Sequence, residues 1–275
     1  MIRGVSNRWR WLLFGVAATA LAIAERRRPL RRATEPGIER IGRNLTIGVL
    51  AGLTTAASEL PVIEPAFALA ATRPCGILRV CRVPRALRTI AGFLLLDYTL
   101  YLWHRMNHRV PMLWRFHAVH HIDRDLDSTT GVRFHAGELA LAAGFRAAQI
   151  VLLGVDRETL ALWQRALVIS VIFHHSNLEL PERFELALRR VLVTPRMHGI
   201  HHSVRGEEMN TNFSSLLSCW DALHSSGRHD VAQRSITIGV AGYLTPESVT
   251  LEQSLTLPFR RALAPPIQHR ASPRS

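Results

Sequence analysis

The sequence predicts an all-α protein: an integral membrane helical bundle of about four to five membrane-embedded helices with a cytoplasmic helical cap. Three observations lead there. Apolar blocks nearly free of charge alternate with arginine-dense connectors along the 275 residues. Five of the fourteen histidines fall within the eighteen residues from His104 to His121, directly after an apolar run. The pattern His117-x-x-His120-His121 then recurs as His198-x-x-His201-His202. The averages hide this division, with 48% apolar residues and a mean hydropathy of only +0.09. A net charge of +13 calls for an anionic partner. The arginines flank apolar runs instead of forming a stripe interleaved with aromatics, so anionic membrane lipids fit better than nucleic acid. Cys75, Cys81 and Cys219 supply neither a disulfide framework nor a C-x-x-C metal site, and are expected free and buried.

Taken in order, the first element is an apolar run over residues 11–24, flanked by Arg3, Arg8 and Arg10 before it and by Arg26, Arg27, Arg28, Arg31 and Arg32 after it. It resembles a signal peptide down to an Ala22-x-Ala24 pattern. The heavier positive flank reads it instead as a retained anchor whose C-terminal end faces the cytoplasm. The stretch Asn44 to Ala71 is long enough to span, but Glu59, Pro61, Glu64 and Pro65 interrupt it, and interior prolines predict a broken span or a span plus an interfacial piece. Five arginines in 73–88 suit a basic amphipathic connector. A further apolar run, Thr89 to Trp103, ends on the histidines. Asp97, Tyr101, His104 and His108 form one helical stripe, in which Asp97 either orients a ligand imidazole or makes a helix-packing hydrogen bond.

After a polar connector with Asp123, Asp125 and Asp127 come two apolar arms, Leu139 to Val155 and Thr159 to Phe173. Each arm is about 24 Å of helix at 1.5 Å per residue. They read as a hairpin that leaves and returns, placing His174 and His175 back on the side of His121. The remainder is mostly polar and ends in an Arg/Pro/Ser-rich tail from Pro265, expected to be disordered. Residues 1–88 are thus an anchor region, 89–229 the histidine-bearing domain and 230–275 an extension.

Histidines at i and i+4, or at i, i+3 and i+4, share a helix face, so each grouping can aim its imidazoles at one point. His104, His108, His117, His120, His121, His198, His201 and His202 make eight candidate ligands, and His175 a ninth. About four ligands close one structural zinc site, so nine suit two ions with open positions to spare. His224, His229 and His269 are covered by ordinary surface or core roles. An all-nitrogen set suits iron, copper or zinc. The H-E-x-x-H of zinc hydrolases is not among the motifs.

The blocks WHRMNH, LWRFHAVHH, GVRFHAGE, FHHSNLELP, TPRMHGIHHS and NTNFSSLLSCWD, in this order over roughly residues 90–225, resemble the fatty acid hydroxylase / sterol desaturase superfamily. That resemblance implies a membrane-bound, histidine-rich, non-haem di-iron enzyme. Two iron ions (Fe2+/Fe3+) would be held by the nine histidines and would use O2 as co-substrate. His135, His174 and Asn177 would lie near the metals as ligands or supports, and the Trp220–Asp221 pair would be structural. Two departures, Ala136 for a common proline and His224 for an aromatic, leave every ligand position filled.

The implied reaction is hydroxylation or desaturation of a C–H bond in a lipid substrate entering from the bilayer. The chain carries no G-x-G-x-x-G loop, four-cysteine cluster or haem domain, so the two electrons call for a separate donor protein of ferredoxin/reductase or cytochrome type. The alternatives are a membrane metal-binding or transport protein and a non-catalytic relative. Arginine- and alanine-rich composition points to a bacterial inner membrane, with the metal site facing the cytoplasm.

Overall fold

The computed structural model describes residues 7–35, 37–73 and 76–260; Cys75 and the tail from Pro265 lie outside them. The described residues form helices joined by irregular segments, with no strand beyond three isolated bridges. The fold is all-α, as expected. Its helices are α1 (Asn7–Arg27), α2 (Ile38–Thr72), α3 (Ile77–Val80), α4 (Arg85–Arg109) and α5 (Pro111–His121). They continue as α6 (Ala136–Gln149, prolonged by a π turn over Ile150–Gly154), α7 (Arg157–His175), α8 (Glu182–Leu188) and α9 (Pro195–His201). Three short helices close the series: α10 (Gly206–Met209), α11 (Cys219–Leu223) and α12 (Leu251–Thr256).

The long elements α2, α4, α6 and α7 make the bundle. Ile63, Ala66 and Ala70 of α2, Leu96 of α4, Ile150 and Leu153 after α6, and Leu160 and Trp163 of α7 share one buried apolar core. This packing corrects the expected break in α2, which runs as one helix of 35 residues through Pro61 and Pro65. Each proline forfeits one backbone hydrogen bond, but the core contacts that follow directly, from Ile63 to Ala70, keep the helix continuous. Two segments, Ile38–Val80 and Ala136–Gly154, are long and apolar enough to cross a bilayer. The outward faces agree, since Leu53 of α2, Ile90 of α4 and Ile169 of α7 are all exposed. Exposed apolar residues on neighbouring helices mark a surface made for lipid. The basic connector lies at the end of the bundle away from the histidines, where Gly76 meets the hairpin tip. A Cβ on Gly76 would sit 2.4 Å from the Cα of Gly154.

The cap is built on α5, α9 and the loops after them. Trp114, Ala118, Val119 and Ile122 bury against Met209, Val240, Val249 and Leu257. Residues of the C-terminal extension therefore close the underside of α5. The acidic connector fastens α2 to the cap. Arg40 donates to both oxygens of Asp123 at 2.8 Å, and Asn44 and Thr130 donate to the same carboxylate. Burial alone would raise Asp123, but Arg40 and Arg133 hold its carboxyl well below the usual range. The cysteine expectation needs correcting too. Cys81 and Cys219 are free but exposed, because each stands at a turn or helix start outside the apolar core.

Candidate metal centre

All nine of the histidines put forward as ligands are buried, none more than 8% exposed, and their ring nitrogens gather into two adjoining groups. One group is His104, His108, His117, His121 and His201; the other is His120, His175, His198 and His202. Within each group one nitrogen per ring lies within 4.8 Å of all the others. The helices explain the sorting. On α5, His117 and His121 are one turn apart and enter the first group, while His120 points into the second. On α9 the assignment is reversed, with His198 and His202 in the second group and His201 in the first. The expectation that each motif aims at a single point is thus corrected. Pairs at i and i+4 are stacked along the axis, whereas the residue at i+3 is rotated about 60° from that row.

The outer nitrogens fix the tautomers. Nδ1 of His104, His120, His175 and His201 faces the backbone carbonyls of Phe213, Arg133, Val171 and Thr211 at 2.7, 3.2, 2.7 and 2.8 Å. A carbonyl only accepts, so each Nδ1 carries the proton and each Nε2 presents a lone pair. Yet Nε2 of His201 lies 3.0 Å from Nε2 of His104, and Nε2 of His175 lies 3.0 Å from that of His120. Two lone pairs facing at that distance repel unless a cation sits between them. Two nitrogens at a metal–nitrogen distance of about 2.1 Å and roughly at right angles to each other are about 3.0 Å apart. Both groups therefore fit a bound metal ion. Nδ1 of His117 stands 2.8 Å from Oε1 of Glu138, the carboxylate–histidine arrangement that orients ligands.

Burial, before any neighbour, pushes the imidazoles of His120, His121, His198 and His202 well below the ordinary histidine range. It likewise takes His175 to about 4 and His201 to about 3. Neutral rings are the form that binds metal.

The remaining candidates are placed elsewhere. His135 caps α6, its Nδ1 accepting from Gly137 N at 2.9 Å and its Nε2 facing Leu255 O, so it joins neither group. His174 packs beside the second group, its ring 4.2 Å from that of His198, without converging on it. Asn177 bonds the main chain of Arg31 on both sides and ties the segment after α1 to the cap. Asp97 touches no imidazole; it accepts from Trp220 Nε1 at 2.7 Å, Leu217 N at 3.2 Å and Trp163 Nε1 at 3.4 Å. Of its two readings, the packing bond is the one formed. Asp221 receives the amides of Phe213 and Ser214, which sets the carbonyl that holds His104. His224 stacks on Tyr98 and Tyr101 and so fills the place of an aromatic.

Residues that the sequence did not single out complete the setting. Glu138 stood unremarked in the GVRFHAGE block. Arg133 is fully buried and donates to Val119 O, Asn44 and Ser254. The guanidinium of Arg31 lies over Gly199, where a Cβ would come within 2.2 Å of it. That close approach accounts for the glycine inside the second motif. A cavity of about 520 Å³ opens from the histidines between α2, α4, α6 and α7.

A family model for fatty acid hydroxylase matches residues 89–226, half of the chain and all nine histidines. The chain belongs to the fatty acid hydroxylase family. Among relatives, an ornithine lipid hydroxylase of Rhizobium tropici is 31% identical over 161 residues, covering 58% of this chain and 47% of that protein. A cholesterol 25-hydroxylase-like protein of Danio rerio is 29% identical, over 55% of this chain and 60% of its own length. Human alkylglycerol monooxygenase is 25% identical over 48% of this chain and 29% of its own. The chain thus spans less than two thirds of each of these relatives. No solved structure matches. Family membership and the two apolar segments make this a membrane protein.

Proposed function

We propose that the chain is a membrane-bound non-haem di-iron oxygenase that hydroxylates, or desaturates, a C–H bond of a lipid, using O2 and two electrons from a separate donor protein. The observation that carries this is the pair of lone-pair contacts at 3.0 Å in two adjoining imidazole groups that wall one end of an apolar cavity. His104, His108, His117, His121 and His201 would hold one iron; His120, His175, His198 and His202 the other. Bound there, the irons would supply the activation of O2 toward an unactivated C–H bond.

The rest is the work of the chain. The carbonyls of Phe213, Arg133, Val171 and Thr211, with Glu138, hold protons on the outer nitrogens and keep the inner ones available. Leu100, Trp103, Leu139, Ala142, Leu167 and Val168 give the cavity an apolar wall that admits a chain and excludes water. Its place between α2, α4, α6 and α7 would let a lipid arrive sideways from the bilayer. Arg31, following the basic flank of α1, reaches the carbonyl of Pro195 and Gln233 beside α9. The arginine-rich flank and the histidines therefore share one side, which supports a bacterial inner membrane with the site facing the cytoplasm.

The test is lipid mass spectrometry of membranes holding the active protein and a reductant system, against His120→Ala, with metal analysis of both. One added oxygen, or two lost hydrogens, with two irons per chain is expected. Zinc alone with unaltered lipid would overturn the reading. Without a reductant system, repeated turnover should cease.

A further inference from the structure

The cavity is apolar near the histidines but not at its other end. There Glu59 of α2, Arg146 of α6 and Gln164 of α7 line it, with Thr55 and Ser58 alongside. Charged side chains at the depth of apolar helices are costly, and a purely architectural role would join them as an ion pair. Each is instead held by an uncharged partner. Glu59 accepts from Gln164 Nε2 at 2.6 Å, while Arg146 donates to Gln149 and lies 4.3 Å over the ring of Trp163. Among the described residues Glu59 and Arg146 form no contact ion pair, although the carboxylate lies within electrostatic reach of the guanidinium. The hydroxyls of Thr55 and Ser58 donate to the carbonyls of Ala51 and Thr54, so their oxygens still accept. The cavity thus carries a carboxylate, a guanidinium and hydroxyl acceptors together in an otherwise apolar wall.

Resting on the oxygenase reading above, we infer that Glu59, Arg146 and Gln164 form a subsite for the polar end of the substrate, which must carry both a hydrogen-bond donor and an acceptor. The helices give the span. Eight residues of α6 separate Glu138, beside His117, from Arg146, and eleven residues of α7 separate Gln164 from His175. At 1.5 Å per residue these are about 12 and about 16 Å. The substrate is therefore an amphiphile oxidised about 12–16 Å from a polar group, and a plain hydrocarbon chain is discriminated against. A terminal hydroxyl and a zwitterionic headgroup share this chemistry.

Three probes of equal chain length separate the cases: an alkane, a long-chain alcohol and a zwitterionic amphiphile. Their binding to the detergent-solubilised full chain is measured by thermal shift and native mass spectrometry, for wild type, E59Q, R146M and Q164L. The wild type should bind one of the polar-ended probes at least about 10-fold more tightly than the alkane, the scale of one hydrogen bond to a charged group. The variants should lose that preference while their metal content stays at the wild-type level. If one variant fails to fold, the others carry the test, with E59D and R146K expected to restore part of the preference. A tighter alcohol identifies a hydroxyl-ended substrate; a tighter zwitterion identifies a headgroup. Equal binding of all three probes by the wild type, or an unchanged preference in the variants, overturns the subsite. The oxygenase reading fails separately, when a well-bound probe is never oxidised in the presence of reductant.

Discussion

The two histidine groups share α5 and the α9 segment, while α4 serves only the first and α7 only the second, and they differ in number and outlook. The first has five imidazoles and packs against Trp114 and Phe213, with only His104 and His117 reaching the cavity. The second has four, and His120, His175 and His198 all line the cavity. Fewer ligands and a wall toward the substrate are what a site that exchanges ligands needs, whereas a fuller shell suits retention. On the di-iron reading, the difference teaches that the second group is where exchange would belong and the first would be its anchor.

The largest effect should come from acid on the metal-free protein. Six of the clustered imidazoles are neutral in the fold far below pH 6.5 but take a proton on unfolding. The unfolded chain thus binds more protons, and stability falls as pH drops through the unfolded value of about 6.5. Each such ring contributes a slope of about 1.4 kcal/mol per pH unit. Helicity followed from pH 7.5 to 5 should collapse steeply in the apo form and much less in the metal-loaded one. A flat apo profile would mean that the rings are not held neutral.

Next, His175→Ala takes one imidazole from the four-membered group. Product formation should fall more than about 100-fold, beyond the usual effect of losing a supporting contact, and metal should fall by at least one ion per chain. Glu138→Gln leaves every ligand in place but weakens the hold on His117. Metal affinity by chelator competition should drop about 10- to 100-fold. His108→Ala tests the comparison most directly, since four imidazoles remain in the first group. Its activity loss should stay near 10-fold or below, well under that of His175→Ala. Equal losses for His108→Ala and His175→Ala would erase the distinction between the groups. Smallest for the centre itself is Asp97→Ala. It strands Trp163, Trp220 and the Leu217 amide, costs about 1–3 kcal/mol of stability, and should leave metal content unchanged at low temperature.

Much of this was readable in the sequence. Spacing alone picked out His104, His108 and both H-x-x-H-H motifs, because metal chemistry restricts which residues serve and helical geometry restricts where they stand. The hairpin returning His175 was legible from the lengths of two apolar arms. What spacing could not supply was the sorting. Whether His120 joins His121 or leaves it depends on how α5 faces α9, a tertiary relation. The partners of the outer nitrogens were invisible for another reason: four of them are backbone carbonyls, which any residue possesses. Asp97 and Asn177 misled because a buried polar group beside a motif can serve packing as easily as ligation, and only its neighbours decide. Pro61 and Pro65 misled because local cost was outweighed by the core from Ile63 onward.

The crossing of assignments on α5 and α9 has a thermodynamic consequence. Since each of these segments places rings in both groups, an ion bound in one group would order three of the four rings of the second or three of the five of the first as well as its own. On the di-iron reading the ordering cost would then be met largely once, so a second ion would bind more tightly than the first, and by reciprocity losing either would loosen the other. Titration of the apo protein should therefore pass from empty to doubly loaded with little singly loaded species between.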